Sequence, residues 1–183
     1  MAFHKRSFLD LVKICDTPSD NDIAGEMLVP FYLDPSGKCP PIGHLRPQVV
    51  ELLLLEHERA TESAWAFAKD DEGLIIGVSF QARLSTPTLR TAVMTELCER
   101  WRDTGVIASC IGPYHWCNEL FPVYHNPFGI HGHTNIAFEM ERVTCRIFGL
   151  PTYGVHMNVY DKETKKIWVA TRAKTQRCVY HQP

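Results

Sequence analysis

Histidine and cysteine, the residues most often used to ligate metals, are concentrated in one stretch of the chain. The segment SCIGPYHWCNELFPVYHNPFGIHGH (109–133) contains Cys110, His115, Cys117, His125, His131 and His133. His-x-Cys and His-x-His pairs can both reach one zinc ion where the backbone bends. Their spacings match no usual zinc signature, however. We therefore favour an aromatic-rich loop without metal over 110–133, and a zinc-binding module stays open as an alternative.

Other catalytic patterns are not recognisable in the sequence. A cysteine and a histidine form a nucleophile–base pair only where the fold brings them together, and their spacing does not show this. The chain contains neither Gly-x-x-x-x-Gly-Lys-Ser/Thr nor Gly-x-Gly-x-x-Gly, the usual glycine-rich loops that bind phosphates. The residues alone therefore identify no activity.

Length and composition predict one globular domain, or one domain and part of a second. The chain has 183 residues, of which 45% are hydrophobic and 22% are charged, and its formal net charge is −2. This balance favours neither a nucleic-acid nor a membrane partner. The N-terminus lacks the apolar centre of a signal peptide, so we expect a cytoplasmic location. The seven cysteines are an odd number without a Cys-x-x-Cys pair, which argues against a disulfide framework.

The hydrophobic pattern predicts an α+β fold of mixed helices and short antiparallel strands. Strands are expected around 27–33, over 64–80 as a hairpin that turns at Asp70–Gly73, and over 105–112 as a short buried segment. Helices are expected to begin at Pro47 and at Pro87. The inward stripe of the second helix would be Leu89, Val93, Leu97 and Trp101. A last helix is predicted over 135–148, with Ile136, Met140, Val143 and Ile147 inward.

The C-terminal region has the pattern of a β-hairpin. YGVHMNVYDKETKKIWVATR (153–172) alternates apolar positions in two runs that are joined by 161–164. A lone hairpin is only marginally stable in water. We therefore place a domain boundary near 149–151, between an N-terminal α+β domain (1–150) and the first strands of an incomplete second domain (151–183). Its exposed strand edge predicts self-association.

Five stretches carry a resemblance to a known family, in this order. They are IGHLRPQVVELLLLE (42–56), LRTAVMTELCERWRDTGVI (89–107), WCNELFPVY (116–124), ERVTCRIFGLPTYGVHMNVY (141–160) and IWVATRAKT (167–175). Together they resemble the N-terminal half of the thiamin-pyrophosphokinase-related Nudix hydrolases of fungi and plants. In that family an N-terminal domain precedes a Nudix domain of α/β/α architecture. The resemblance implies that the C-terminal hairpin begins the Nudix domain.

The resemblance also implies a metal-dependent chemistry for the full-length protein. A Nudix domain uses a helix of carboxylates to hold Mg²⁺ or Mn²⁺ against a small-molecule diphosphate, which water then attacks. The Nudix box contains Arg-Glu and Glu-Glu dipeptides, and this sequence has neither. We therefore predict a chain that is truncated before the box and is inactive alone, without a cofactor of its own. Thiamin-diphosphate-like or nucleoside-diphosphate substrates are expected for the full-length protein.

The resemblance assigns no catalytic or metal-binding residue in this chain, but it suggests four substrate contacts. These are His156 and Asn158 on the first strand of the hairpin, and Arg172 and Lys174 at the end of the second. The competing interpretation is that Arg172 and Lys174 are solvated charges at a strand end. Two classes of function stay open: the N-terminal portion of a Nudix diphosphatase, and a non-catalytic module that docks a partner or the Nudix domain itself.

Overall fold

The structure is a computed structural model that describes residues 25, 27–112, 115–126, 133–154 and 157–169. Its strands are β1 (Val29–Tyr32), β2 (Gly43–Leu45), β3 (Trp65–Lys69), β4 (Ile75–Phe80), β5 (Leu120–Tyr124), β6 (Ile136–Glu141), β7 (Val159–Tyr160) and β8 (Ile167–Trp168). Its α-helices are α1 (Pro47–Arg59), α2 (Pro87–Thr104) and α3 (Ala108–Ile111), and 3₁₀ turns cover His133–Asn135 and Arg142–Thr144. This mixture of helices and mainly antiparallel strands confirms the α+β class.

The largest sheet has four strands in the order β2-β1-β4-β3. Its two outer pairs are antiparallel, but the central strands β1 and β4 are parallel, with Phe31 opposite Val78. The predicted hairpin forms β3 and β4. The Asp70 carboxylate accepts hydrogen bonds from the amides of Glu72 and Leu74, and Gly73 has a φ of 85°, which glycine adopts readily.

Both predicted proline-initiated helices are confirmed at their first residues. The Thr86 hydroxyl caps α2 by accepting a hydrogen bond from the Leu89 amide, 3.3 Å away. One carboxylate links the two helices: Glu56 of α1 accepts hydrogen bonds from the Arg100 guanidinium (2.7 Å) and the Trp101 indole (3.2 Å) of α2.

The buried face of α2 differs from the predicted stripe. Leu89 is 45% exposed, and Val93 is half-buried. The residues that face the core are Arg90, Met94, Leu97, Cys98 and Trp101. In the first turns of α2 the buried positions are therefore shifted by one residue from the predicted stripe. This shift buries Arg90, which the apolar pattern alone would have placed on the exposed face.

The predicted helix over 135–148 is wrong. Residues Ile136–Glu141 form β6, which pairs antiparallel with β5, and only short 3₁₀ and turn structure follows. Met140 is buried as expected, whereas Ile136, Val143 and Ile147 are half-buried. Residues four apart lie on one face in a strand as well as in a helix, so this spacing does not distinguish a strand from a helix. The partner strand β5 contains Pro122, which weakens a strand pattern, and tertiary pairing decided the outcome.

The predicted strand over 105–112 is also wrong. Gly105 ends α2 in the left-handed conformation, and Ala108–Ile111 form α3, with Ile111 fully buried. A short apolar run is compatible with either a buried strand or a buried helical turn, and periodicity cannot separate the two.

Two glycines allow the edge strand β2 to approach the backbone that follows β6. A Cβ on Gly43 would lie 2.5 Å from the Phe148 carbonyl oxygen, and a Cβ on Gly149 would overlap the His44 carbonyl oxygen. Gly149 also has a φ of 58°. This close packing places Phe148 in the core, where its ring stacks on Trp101 at 5.9 Å.

The C-terminal hairpin consists of two short strands, with Val159 opposite Trp168. Its turn is held by the Asp161 carboxylate, which accepts hydrogen bonds from the amides of Glu163 and Thr164. Leu150 is buried, but the apolar residues of the hairpin are largely exposed, Val169 by 88%. The domain boundary near 149–151 and self-association through this hairpin stay predictions. Within the described ranges, no helix is long and apolar enough to cross a membrane.

We predict that replacing Gly149 by Ala destabilises the protein by about 3 kcal/mol or more, because a Cβ there is both sterically blocked and conformationally strained. Chemical denaturation would measure the loss. Gly105→Ala isolates the strain, since Gly105 has a φ of 69° and nothing within 4 Å of its Cβ position. It should cost only about 1 kcal/mol. Gly154→Ala, in open space, should cost nothing measurable. Equal losses for Gly149→Ala and Gly105→Ala would refute the close packing.

We also predict that the backbone amides of 157–169 exchange with solvent much faster than those of α2, because the hairpin strands have little buried apolar surface. Hydrogen exchange at low protein concentration would measure this without self-association. Equal, strong protection of the two segments in the monomer would show that the hairpin joins the N-terminal core.

Candidate functional site

The substrate contacts implied by the resemblance fall mostly outside the described residues. His156, Arg172 and Lys174 lie outside them, and Asn158 is exposed immediately before β7. The structure therefore does not bring these four residues together into a site that can be described, and their role stays a prediction.

The histidine- and cysteine-rich stretch is distributed over several environments. The Cys117 amide donates a hydrogen bond to the Glu141 carboxylate (2.9 Å). Cys117 is also engaged in a disulfide bond, which the odd cysteine count and the missing Cys-x-x-Cys pair did not lead us to expect. His115 is exposed, and the Cys110 carbonyl accepts a hydrogen bond from the Arg146 guanidinium. Over the part of the chain that the structure describes, which omits His131, no three His, Cys, Asp or Glu residues are grouped to hold a metal ion.

A pocket of about 500 Å³ lies where the parallel strands β1 and β4 end. The segments that follow these strands form its walls, and the first turn of α2 completes it. The carboxyl ends of adjacent parallel strands and the start of a helix commonly bind ligands, because polar groups and positive backbone ends converge there. The polar residues that line this pocket are Asp34, Ser36, Gln81, Ser85 and Arg90.

Arg90 is the unusual member of this pocket. Its side chain is only 6% exposed, and its Cζ lies 5.9 Å from the centroid of the Phe80 ring. One guanidinium nitrogen donates a long hydrogen bond of 3.4 Å to the Ala137 carbonyl, while Nε has no hydrogen-bond partner among the described residues. Burial lowers the pKa of Arg90, and the Asp34 carboxylate partly opposes this effect. A buried, incompletely paired guanidinium is costly unless something satisfies it.

Two ionisable groups modify the electrostatics around Arg90. Hydrogen bonds from the Ser36 hydroxyl and amide lower the pKa of Asp34, and the charge of Arg90 adds to the effect. Asp34 is therefore ionised at neutral pH. Burial and the charge of Arg90 both lower the pKa of His125, at the end of the β5–β6 pair. The pocket thus contains one buried cation, one carboxylate at its wall and neutral polar groups.

A second depression, of about 530 Å³, lies beside the end of α1 but is less suited to a ligand. Its arginine, Arg83, is paired with the Glu62 carboxylate at 2.8 Å and donates to two backbone carbonyls. Its histidine, His57, forms a 2.7 Å hydrogen bond with the Ser63 hydroxyl. These polar groups already satisfy one another, so the pocket at Arg90 is the candidate site.

Arg90 is not among the site residues predicted from the sequence. One signal was present: Arg90, Met94, Leu97 and Trp101 follow helical spacing, so extending the stripe from its C-terminal end would have placed Arg90 on the inner face. Asp34 and Ser36 belong to Asp34-Pro35-Ser36-Gly37, whose residue types indicate a turn and no chemistry. Their approach to Arg90 depends on the parallel pairing of β1 with β4, which no local pattern encodes.

The comparison with known proteins supports a relationship to the Nudix hydrolases. The chain is 26% identical over 172 residues to the chloroplastic Nudix hydrolase 20 of Arabidopsis thaliana. The match covers 91% of the chain, but the chain spans only about 40% of the length of that relative. No family model matches the chain.

We predict that the free energy of unfolding falls as the pH is lowered from about 7.5 to about 5. Burial lowers the pKa of His44 in β2 below its ordinary value of 6.5, and the pKa of His125 is lowered as well. The unfolded chain therefore binds protons that the folded chain resists, so stability present above pH 6.5 is lost on acidification. Urea denaturation across this range would measure the slope.

The double variant His44→Gln/His125→Gln provides the control for this prediction. Its stability should vary less with pH over the same range, because neither side chain can then take up a proton. A slope identical to that of the unmodified protein would contradict the assignment.

Proposed function

We propose that the chain is the N-terminal part of a Nudix-type diphosphate hydrolase and is not itself catalytic. The full-length protein would use Mg²⁺ or Mn²⁺ to hydrolyse a small diphosphate, either thiamin-diphosphate-like or a nucleoside diphosphate. The observation that supports this proposal is the similarity to Nudix hydrolase 20, which extends over 91% of the chain. The cytoplasmic location stays part of the proposal, although that relative is named as chloroplastic.

The described residues do not fit the metal that such a hydrolase needs. Nudix chemistry requires several carboxylates around a divalent cation. No three acidic, histidine or cysteine side chains are grouped for this purpose in the described ranges. The sequence also lacks the Arg-Glu and Glu-Glu dipeptides of the Nudix box. We therefore derive no catalytic step from this chain and assign the metal and the attacking water to the remainder of the proposed full-length protein.

The hairpin would contribute substrate contacts to that larger protein. His156, Asn158, Arg172 and Lys174 are proposed to face the diphosphate once the remaining strands complete the sheet. The exposure of Val159, Ile167 and Trp168 is consistent with strands that another element covers, because apolar residues at this density are usually buried by a partner. The same exposure allows the hairpin to pair with a second copy of itself.

A second candidate function is a non-catalytic binding module. The specific observation that favours it is the pocket around Arg90, which is built entirely from residues before the proposed boundary. This function and the hydrolase proposal are compatible, because a binding domain can precede a catalytic one in the same chain.

We predict that the 183-residue chain, purified alone, releases no phosphate from thiamin diphosphate or nucleoside diphosphates in the presence of Mg²⁺ or Mn²⁺. The reason is the missing set of carboxylates, without which the cation and water are not positioned. A phosphate-release assay would measure turnover. Metal-dependent turnover that survives further purification and disappears with a chelator would refute the prediction.

A further inference from the structure

We infer that the pocket between the ends of β1 and β4 binds a ligand through an oxyanion, a carboxylate or a phosphoryl group, that Arg90 holds. This site is separate from the proposed hydrolase chemistry, and the inference stands whether or not the hydrolase proposal holds. It depends only on residues of β1, β4 and α2 and the segments that join them.

Arg90 is a buried guanidinium whose hydrogen-bond donors are incompletely used. Arg90 lines the pocket and is 94% buried, from an exposed fraction of 6%, yet its Nε has no hydrogen-bond partner among the described residues. A guanidinium donates five hydrogen bonds in a fixed planar arrangement that matches an oxyanion. The 3.4 Å hydrogen bond to Ala137 occupies one donor poorly. An oxyanion in the pocket would compensate the charge of the buried guanidinium, which forms no ion pair among the described residues.

The pocket lies at the start of α2, where the aligned backbone dipoles of a helix leave a partial positive charge. The first turn of α2 lies beside the pocket. In that turn Pro87 has no amide hydrogen, and the amides of Leu89 and Arg90 donate to the hydroxyl and the carbonyl of Thr86, so the helix acts on an anion through its dipole. The partial positive charge at a helix start stabilises a nearby anion, and α2, with 18 residues, is long enough for this effect. The Ser85 hydroxyl is a further neutral donor at the wall, whereas the Ser36 hydroxyl already donates to Asp34.

The Asp34 carboxylate determines how strongly the pocket binds an anion and which anion charge it prefers. The Asp34 carboxylate faces the same pocket and forms no ion pair with Arg90 within the described residues, so its negative charge repels an anionic ligand. A singly charged oxyanion is therefore repelled less than a doubly charged one. Replacing Asp34 by Asn keeps an acceptor for the Ser36 amide, 2.8 Å away, and removes the charge. This change should strengthen binding, and most strongly for inorganic phosphate.

The test uses the full 183-residue chain with acetate and inorganic phosphate as probes at neutral pH. Titration followed by ¹H–¹⁵N NMR should show saturable shifts of the amides of 34–36 and 81–85. Arg90→Met, which preserves the length and apolar contacts of the side chain, should weaken binding by at least about tenfold. Arg90→Lys keeps the charge but lacks the planar guanidinium with its several donors, so binding should be intermediate. Asp34→Asn should bind several-fold more tightly than the unmodified chain.

The probes separate the two sources of the oxyanion. Tighter binding of acetate assigns a carboxylate ligand, and tighter binding of phosphate assigns a phosphoryl ligand. If Arg90→Met does not fold, the gain in affinity expected of Asp34→Asn still tests the inference. The inference is overturned if neither probe gives saturable shifts in this pocket, or if Asp34→Asn binds no more tightly and a folded Arg90 variant binds as well as the unmodified chain.

Discussion

A cluster of aromatic rings centred on Phe31 and Phe80 joins the parts of this fold. The two rings lie on adjacent parallel strands with centroids 5.4 Å apart, Phe31 reaches Phe148 at 5.9 Å, and Phe80 contacts Phe138 of β6 edge-on at 5.4 Å. Phe148 in turn stacks on Trp101 of α2. Buried rings at these separations stabilise a fold through both area and geometry. The four-stranded sheet, the β5–β6 pair and α2 are therefore held around one shared core.

The aromatic core and the candidate pocket share residues. Phe80 contributes its ring to the cluster, and the Arg90 guanidinium lies over the face of that ring. Ala137, next to Phe138, supplies a carbonyl that accepts a hydrogen bond from the same guanidinium. The position of the Arg90 guanidinium is thus determined by the packing of the sheet against α2. A guanidinium held in this way loses little freedom when it binds a ligand, which favours binding by a rigid site.

The sequence predicted local structure well where a residue acts on its neighbours. Pro47 and Pro87 marked the helix starts, and Asp70 with Gly73 marked the first hairpin, because these residues restrict the backbone directly. It failed where distant pairing decides the outcome. Ile136–Glu141 became a strand because Leu120–Tyr124 lies beside it, and the pocket exists because β1 and β4 are parallel. Arg90 was missed because an arginine on an inner face contradicts the apolar pattern from which a buried stripe is read.

The parallel pairing of β1 with β4 has a consequence for how the protein forms during synthesis. As the chain leaves the ribosome, β1 can pair with β2, but its other edge stays open until β4 has emerged. The contact between the Phe31 and Phe148 rings forms later still, because Phe148 is among the last residues of the core to be synthesised. Contacts between such distant segments must overcome the entropy of closing a long loop. The nascent chain therefore carries an unpaired strand edge from the end of β1 at Tyr32 until β4 (Ile75–Phe80) has emerged, and the aromatic core is completed only when Phe148 has been added.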